Sequence, residues 1–391
     1  MRDSCEGEVF DRLERRHIKF SKSKLTLGAV QFFSRARRVK CNCWFSVERD
    51  VDLADRLIRI QISIYSRYGH GLLRVLPALA GADGLALVEL EAALSLRAAG
   101  YAKPILLLEG FFEARELVPI ADATLGIVVH DAEQMRMLET ASLARPLDVY
   151  VKVNAGMNRL GIAPADVASA CERLARLPTV EGLRLMMHFA RSDEEDGIAE
   201  ARTRFERACA GLPYPRSLAN SAGVVRFPEV GGDSVRPGIM LYGATPFAHR
   251  SAASLGLAPA MTLRSKLIGI QTLAPGDAVG YGGTFVAAQP TRIGVVACGY
   301  GDGYPRHAPN GTPVLVCGRS VPTAGRVSMD MLTVDLTRVP EASTGSGVVL
   351  WGEGLPVDDV AAAAGTVGYQ LLCAVTQRVP FALRDGGAAA D

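Results

Sequence analysis

The chain has 391 residues, 49% of them hydrophobic and 21% charged, with a formal net charge of +2. That balance suits a soluble protein of two domains, and the charge is too small to hold nucleic acid or an anionic membrane surface. No apolar run reaches the ~18 residues that cross a bilayer, and the eight Cys have neither disulfide-framework nor zinc-site spacing, so a reducing, cytoplasmic setting is expected.

The first 67 residues differ from the rest. They hold no Pro and only two Gly, Gly7 and Gly28, in a chain with 21 Pro and 40 Gly, and their basic residues outnumber the acidic ones. The apolar stretch 25–33 is broken by Thr26 and Gln31 and lacks a small-residue cleavage site, so it does not read as a leader. Residues 1–56 are expected to form an atypical segment without a legible role.

From residue 68 a rhythm sets in, with one candidate strand just upstream of it. Ile58, Ile60, Ile62 and Ile64 alternate with Arg59, Gln61 and Ser63 and offer a first strand. Apolar runs of strand length follow at 85–89, 105–108, 125–129, 147–153, 183–188, around 217–219, and at 234–235. Amphipathic stretches at 91–99, 132–140, 164–177 and 198–210 lie between them. Continuous apolar strands alternating with helices indicate a parallel sheet buried on both faces. Eight such units predict an α/β fold, a (β/α)8 barrel of the TIM type over residues 57–243. Beyond Gly243 short strands at 261–272, 293–297, 312–316, 331–336 and 347–350 are divided by turns such as Pro275-Gly276 and Asn310-Gly311. This predicts a C-terminal all-β domain over 244–383, with a low-complexity tail at 384–391.

In such a barrel, chemistry is carried just after the C-terminal ends of the strands. Those places hold Tyr68-Gly69-His70-Gly71, Lys152 followed by Met157-Asn158-Arg159-Leu160-Gly161, His188, Asn220-Ser221-Ala222-Gly223, and Arg236-Pro237-Gly238-Ile239. The last two segments join small residues, a hydroxyl and backbone N–H groups near helix starts, which is the composition of a phosphate cradle. Each has a plainer reading too: an ordinary loop for the Ser-Ala-Gly segment, a satisfied core residue for His188. Lys152 could equally be paired with a carboxylate such as Asp148.

Together with Gly-Tyr-Gly-Asp-Gly-Tyr-Pro-Arg at 299–306 and Gly-Arg-Val-Ser-Met-Asp at 325–330, these segments resemble alanine racemase, a fold-type III enzyme dependent on pyridoxal 5′-phosphate, from Tyr68 to about Pro380. The resemblance implies a head-to-tail homodimer acting on L- and D-alanine to supply cell-wall precursors. It implies that Arg236 donates to the cofactor's pyridine nitrogen, with His188 beside it. Tyr68, Ser221, Gly238, Ile239 and Tyr369 would hold the phosphate. Arg159 and the backbone N–H of Met329, the latter from the partner subunit, would hold the substrate carboxylate. Tyr300 of the partner subunit would act as the base on one face of Cα, and Lys152 matches a lysine the family often carbamylates. No metal is implied.

One departure is large. The family pattern on the first strand is Lys-x-Asn/Asp-x-Tyr-Gly-His-Gly, and its lysine both bonds the cofactor and serves as the second base. Here Ile64 stands in the lysine position and Ser66 in that of Asn/Asp. The composition break and the end of the resemblance coincide, which points to a replaced N-terminus, through a frameshift, a wrong start or a rearrangement, or to a real change of function. Three readings follow: an impaired racemase, a non-catalytic protein that binds the cofactor or an amino acid, and a chain whose altered first strand folds poorly.

Overall fold

The computed structural model describes residues 70–384 and, before them, two strands. Ile64 and Tyr68 lie outside the described residues. The strands of the first half are β1 (His17–Ser21), β2 (Arg59–Ser63), β3 (Gly84–Leu87), β4 (Ile105–Leu107), β5 (Gly126–Val129), β6 (Leu147–Lys152), β7 (Val180–Met186), β8 (Arg216–Ser217) and β9 (Ser234–Val235). From β2 to β9 they form a closed barrel in sequence order, every neighbouring pair parallel. Closure runs through Arg59↔Ser234 and Ile60↔Val235. Between the strands lie α1 (Leu72–Val75), α2 (Leu90–Ala98), α3 (Leu117–Asp122), α4 (Ala132–Thr140), α5 (Val167–Ala175), α6 (Ala199–Ala208) and α7 (Ser221–Arg226).

Period-two alternation explains why these strands read as continuous apolar runs. Leu85, Leu107, Ile127, Val149, Val151 and Leu185 face outward and share a core with Leu96, Leu138 and Leu174 of the helices. The residues between them, Ala86, Leu106, Val128, Tyr150 and Met186, form a separate cluster, the packed layer inside the barrel. Lys152 follows Tyr150 by two positions and therefore faces the interior, one step nearer the mouth. This parity places the site.

The chain leaves the barrel at Gly243, where φ is 79° and a Cβ would strike the Ala258 carbonyl. The second half contains β10 (Met261–Leu273), β11 (Ala278–Val279), β12 (Phe285–Val286), β13 (Thr291–Val296), β14 (Pro313–Val316), β15 (Arg319–Pro322), β16 (Leu332–Asp335), β17 (Gly347–Trp351) and β18 (Phe381–Arg384). The main sheet runs β15-β14-β17-β10-β1-β18, with β13 and β16 added beside β10. Two helices, α8 (Val357–Ala363) and α9 (Gly368–Ala374), accompany it. Strand and turn signals do not predict them, although Val357, Val360 and Ala361 have helical spacing and are buried.

β1 is the other difference. It lies within the segment to which the sequence assigns no role, yet it pairs antiparallel with β10 and parallel with β18. Five residues of alternating character inside a charged stretch give too short a signal to read, and the pairing is with strands more than two hundred residues away. β18 likewise ends at Arg384, the first residue of the expected tail.

Candidate functional site

Arg236 directly follows β9, and its backbone N–H donates to the Ala219 carbonyl at 2.8 Å. Its guanidinium donates through Nη1 to Ser217 Oγ at 2.7 Å and through Nη2 to the carbonyls of Met187 at 2.6 Å and Leu218 at 3.4 Å. The side chain is 4% exposed. These acceptors come from the ends of β7 and β8, so three adjacent strands fix one planar cation, and all three acceptors are neutral. An arginine keeps its proton in such a place.

Three further groups feel that charge. His188 lies two residues beyond β7, with Nε2 at 3.3 Å from the Asn220 amide nitrogen. Burial pushes its pKa down to about 3, helped by the charges of Arg236, Arg159 and Lys152. Burial also pushes the Lys152 ammonium down to about 8, and the charges of Arg159 and Arg236 outweigh the opposing pull of Glu109. Pairing with Asp148 is not observed: that carboxylate meets Arg184 Nε at 3.0 Å. Burial and the neighbouring cations thus favour the neutral imidazole of His188, whose Nε2 meets Asn220.

A pH dependence follows. The folded protein keeps His188 neutral where the unfolded chain, with its ordinary value near 6.5, takes up a proton. Stability of the cofactor-free protein should therefore fall as pH drops below that value, continuing toward 3. Urea titrations of the wild type and His188→Gln across this window test it; identical pH slopes would remove His188 as the cause.

Arg159 is carried by a loop closed at its base. Val153 and Ile162 form a parallel bridge, and Ile162 N–H donates to the Lys152 carbonyl at 2.7 Å. Asn154 Oδ1 accepts from Asn158 N–H at 2.9 Å, and Asn158 adopts φ 53°, a left-handed conformation that Asn tolerates. Gly161, at φ 133°, has no room for a Cβ against the Asn154 nitrogen. Arg159 is held at the exposed tip.

The cradle forms where two turns meet. Asn220 caps α7 through Gly223 N–H at 3.0 Å, while its amide donates to the Phe189 carbonyl at 3.1 Å and its oxygen accepts from Ser192 Oγ at 2.8 Å. Ser221, first in the helix, accepts from Gly238 N–H at 2.8 Å, and a 3-10 turn, Ile239–Tyr242, starts immediately after. The first N–H groups of both turns have no acceptor within their own helices, which makes the junction suited to an anion. The other domain meets the barrel just beyond this turn: Asp358 of α8 accepts from Thr245 N–H at 2.9 Å, and a Cβ at Gly368, the residue before Tyr369 on α9, would lie 3.5 Å from Ala244. Burial lifts Asp358 to about 6.

Tyr300 and Met329 are brought together in the β domain and exposed, 36% and 53%. Tyr300 N–H donates to the Ser328 carbonyl at 3.0 Å and Gly301 N–H to that of Met329 at 2.8 Å. Asp302 is fully buried, accepts from Gly299 N–H at 2.9 Å, and pairs with Arg378 Nε at 2.9 Å. Arg378 also reaches Asp330 at 2.8 Å and the Met329 carbonyl at 3.0 Å, and its guanidinium fills the space a side chain at Gly301 would need. A cavity of about 220 Å³ beside Tyr300 is lined by Tyr304, Arg306, His307 and Gln370. Sequence reasoning missed Arg378, Ser217 and the capping role of Asn220. Only Asn220 had a signal, an N-cap residue ahead of a small-residue helix start.

The arrangement sets helix-start N–H groups suited to an anion beside a buried, fixed cation, with Lys152 and Arg159 acting as further cations nearby. Comparison with known proteins identifies the family. The family model for the alanine racemase N-terminal domain matches residues 66–246, and that for the C-terminal domain matches 260–383. The alanine racemase of Nitrosospira multiformis is 55% identical over 315 residues, covering 80% of this chain and 88% of the relative. The catabolic alanine racemase of Klebsiella aerogenes is 54% identical over 314 residues, covering the same shares. The crystal structure of the biosynthetic alanine racemase from Pseudomonas aeruginosa superposes with a TM-score of 0.81 at 48% identity, over 83% of this chain and 92% of that one.

Proposed function

The chain belongs to the alanine racemase family, and we propose that it binds pyridoxal 5′-phosphate and alanine at the barrel mouth but racemises alanine poorly. The observation that carries the cofactor reading is Arg236, a buried cation locked beside the Ser221–Gly238 junction. When bound, pyridoxal phosphate supplies an aldehyde that joins the amino nitrogen and a ring that spreads negative charge from Cα.

This chain's residues have separable tasks. Ser221, the N–H groups of Gly238 and Ile239, Tyr68 and Tyr369 hold the phosphate. Arg236 donates to the ring nitrogen without surrendering its proton, which keeps the ring a weak electron sink and favours simple proton exchange. His188, neutral, lies beside it. Arg159 and the Met329 N–H of the partner subunit hold the carboxylate, and a carbamate on Lys152 would give Arg159 an anionic neighbour. Tyr300 of the partner subunit moves a proton on one face of Cα. Ile64 offers no proton on the other. The working unit is a head-to-tail homodimer, whose place is the cytoplasmic supply of D-alanine to cell-wall precursors. Among the described residues no helix is long and apolar enough to cross a membrane.

A second reading, cofactor or amino-acid binding without turnover, is favoured by Ile64 alone. Equilibrium dialysis tests what both readings share: the chain should bind pyridoxal phosphate, and Ser221→Ala, which removes one donor to the phosphate, should weaken binding by ~10-fold, as for a lost charge-assisted hydrogen bond. Light scattering of the same preparation should give a dimer. Unchanged affinity in the variant would move the phosphate elsewhere.

A further inference from the structure

We propose that Lys152 bonds the aldehyde carbon of pyridoxal phosphate in this chain, taking the part that position 64 leaves vacant. The inference rests on the cofactor reading above.

The chain has seven lysines. Three have described side chains, and two of those are in the wrong place. Lys103 precedes β4, at the barrel's N-terminal rim, and its ammonium is engaged by the carbonyls of Ala80 at 2.6 Å and Ala82 at 2.7 Å. Lys266 is exposed on β10 in the other domain. Lys152 is the last residue of β6, faces the barrel interior in step with Tyr150, and is 8% exposed. Its strand stands four places from β2 in the eight-strand ring, so its amine enters the same mouth from the opposite wall.

The surroundings favour a reactive amine. Among the described residues no hydrogen bond or ion pair engages the Lys152 ammonium, and Asp148, on its own strand, is committed to Arg184. Arg159 and Arg236 act on it as neighbouring cations. A desolvated lysine beside other cations is a recognised way to present a neutral nitrogen to a carbonyl. The reaction needs no oxidant or reductant. The lone pair of the neutral nitrogen forms the C–N bond while the carbonyl pair moves to oxygen. A proton then passes from nitrogen to that oxygen, and water departs as the C=N bond closes. Uptake of carbon dioxide by the same nitrogen would block this path, so the two fates compete.

The test uses the full chain saturated with pyridoxal phosphate, with and without bicarbonate, followed by borohydride reduction and peptide mapping. Bound cofactor is measured separately by equilibrium dialysis. The expected result is one pyridoxyl group per chain on the peptide containing Lys152, less of it with bicarbonate, and loss of that adduct in Lys152→Met. The variant should still bind cofactor in dialysis, more weakly. Cofactor retained in dialysis by the unaltered chain with no adduct at Lys152, or labelling spread evenly over Lys103 and Lys266, overturns the proposal while leaving the binding reading intact. No cofactor bound at all overturns both. Should Lys152→Met fail to fold, the map of the unaltered chain decides by itself.

Discussion

Replacing the first barrel strand by a racemase-type strand ending in lysine at position 64 should raise alanine racemisation by at least ~10²-fold over the chain as it stands, the low end of what one acid–base group contributes. Racemisation needs a proton-transfer group on each face of Cα. On the proposed reading Tyr300 of the partner subunit would supply one, and an isoleucine cannot supply the other. Lys152, even bonded to the cofactor, stands on a strand four places from β2 in the ring and does not replace a base at position 64. The single change Ile64→Lys should recover less than the whole strand, because the residues before it and Ser66 also depart from the family pattern. A coupled assay for D-alanine on the three proteins decides. Turnover of the unaltered chain at an ordinary ~1–10³ s⁻¹ would make the reading of Ile64 wrong. A chimera that folds, binds cofactor and stays inactive would favour binding without turnover.

Arg378→Met should cause a marked loss of stability although it touches neither cofactor nor substrate. It removes the Arg378 contacts of the fully buried Asp302 carboxylate, of Asp330 and of the Met329 carbonyl. Breaking a fully buried pair costs ~3–5 kcal/mol. Arg378 is 36% exposed, and water screens part of the interaction, so about 2–3 kcal/mol is expected. The double change Arg378→Met with Asp302→Asn should regain part of it, since the amide can still accept from Gly299 N–H and buries no charge. Thermal melts of both variants check this. If the single variant melts with the wild type, the clamp is not what holds the Tyr300 and Met329 turns.

Several features of this molecule are legible in the amino-acid sequence alone. Alternating apolar runs and amphipathic stretches predict the barrel, because strands buried on both faces and helices buried on one impose different periods on the chain. The strand-end positions predict the site, because parallel strands in a closed barrel all deliver their C-terminal ends to one mouth. The substitution at position 64 is a matter of side-chain identity, which needs no fold to be seen. Other features have no local signature. Arg236 is held largely by the carbonyls of Met187 and Leu218, and every residue has a carbonyl, so nothing in their side chains marks them. Arg378 meets Asp330 from 48 residues away and Asp302 from farther still, through loops whose spacing encodes no contact. β1 joins a sheet built by the other end of the chain. For Lys152 the sequence leaves a choice between an ion pair with a carboxylate such as Asp148 and the carbamylated lysine that the family resemblance implies. Which carboxylate lies beside an interior lysine depends on the neighbouring strand's register, and register is fixed only when the barrel closes: it sets Tyr150 against Arg184, and Arg184 takes Asp148.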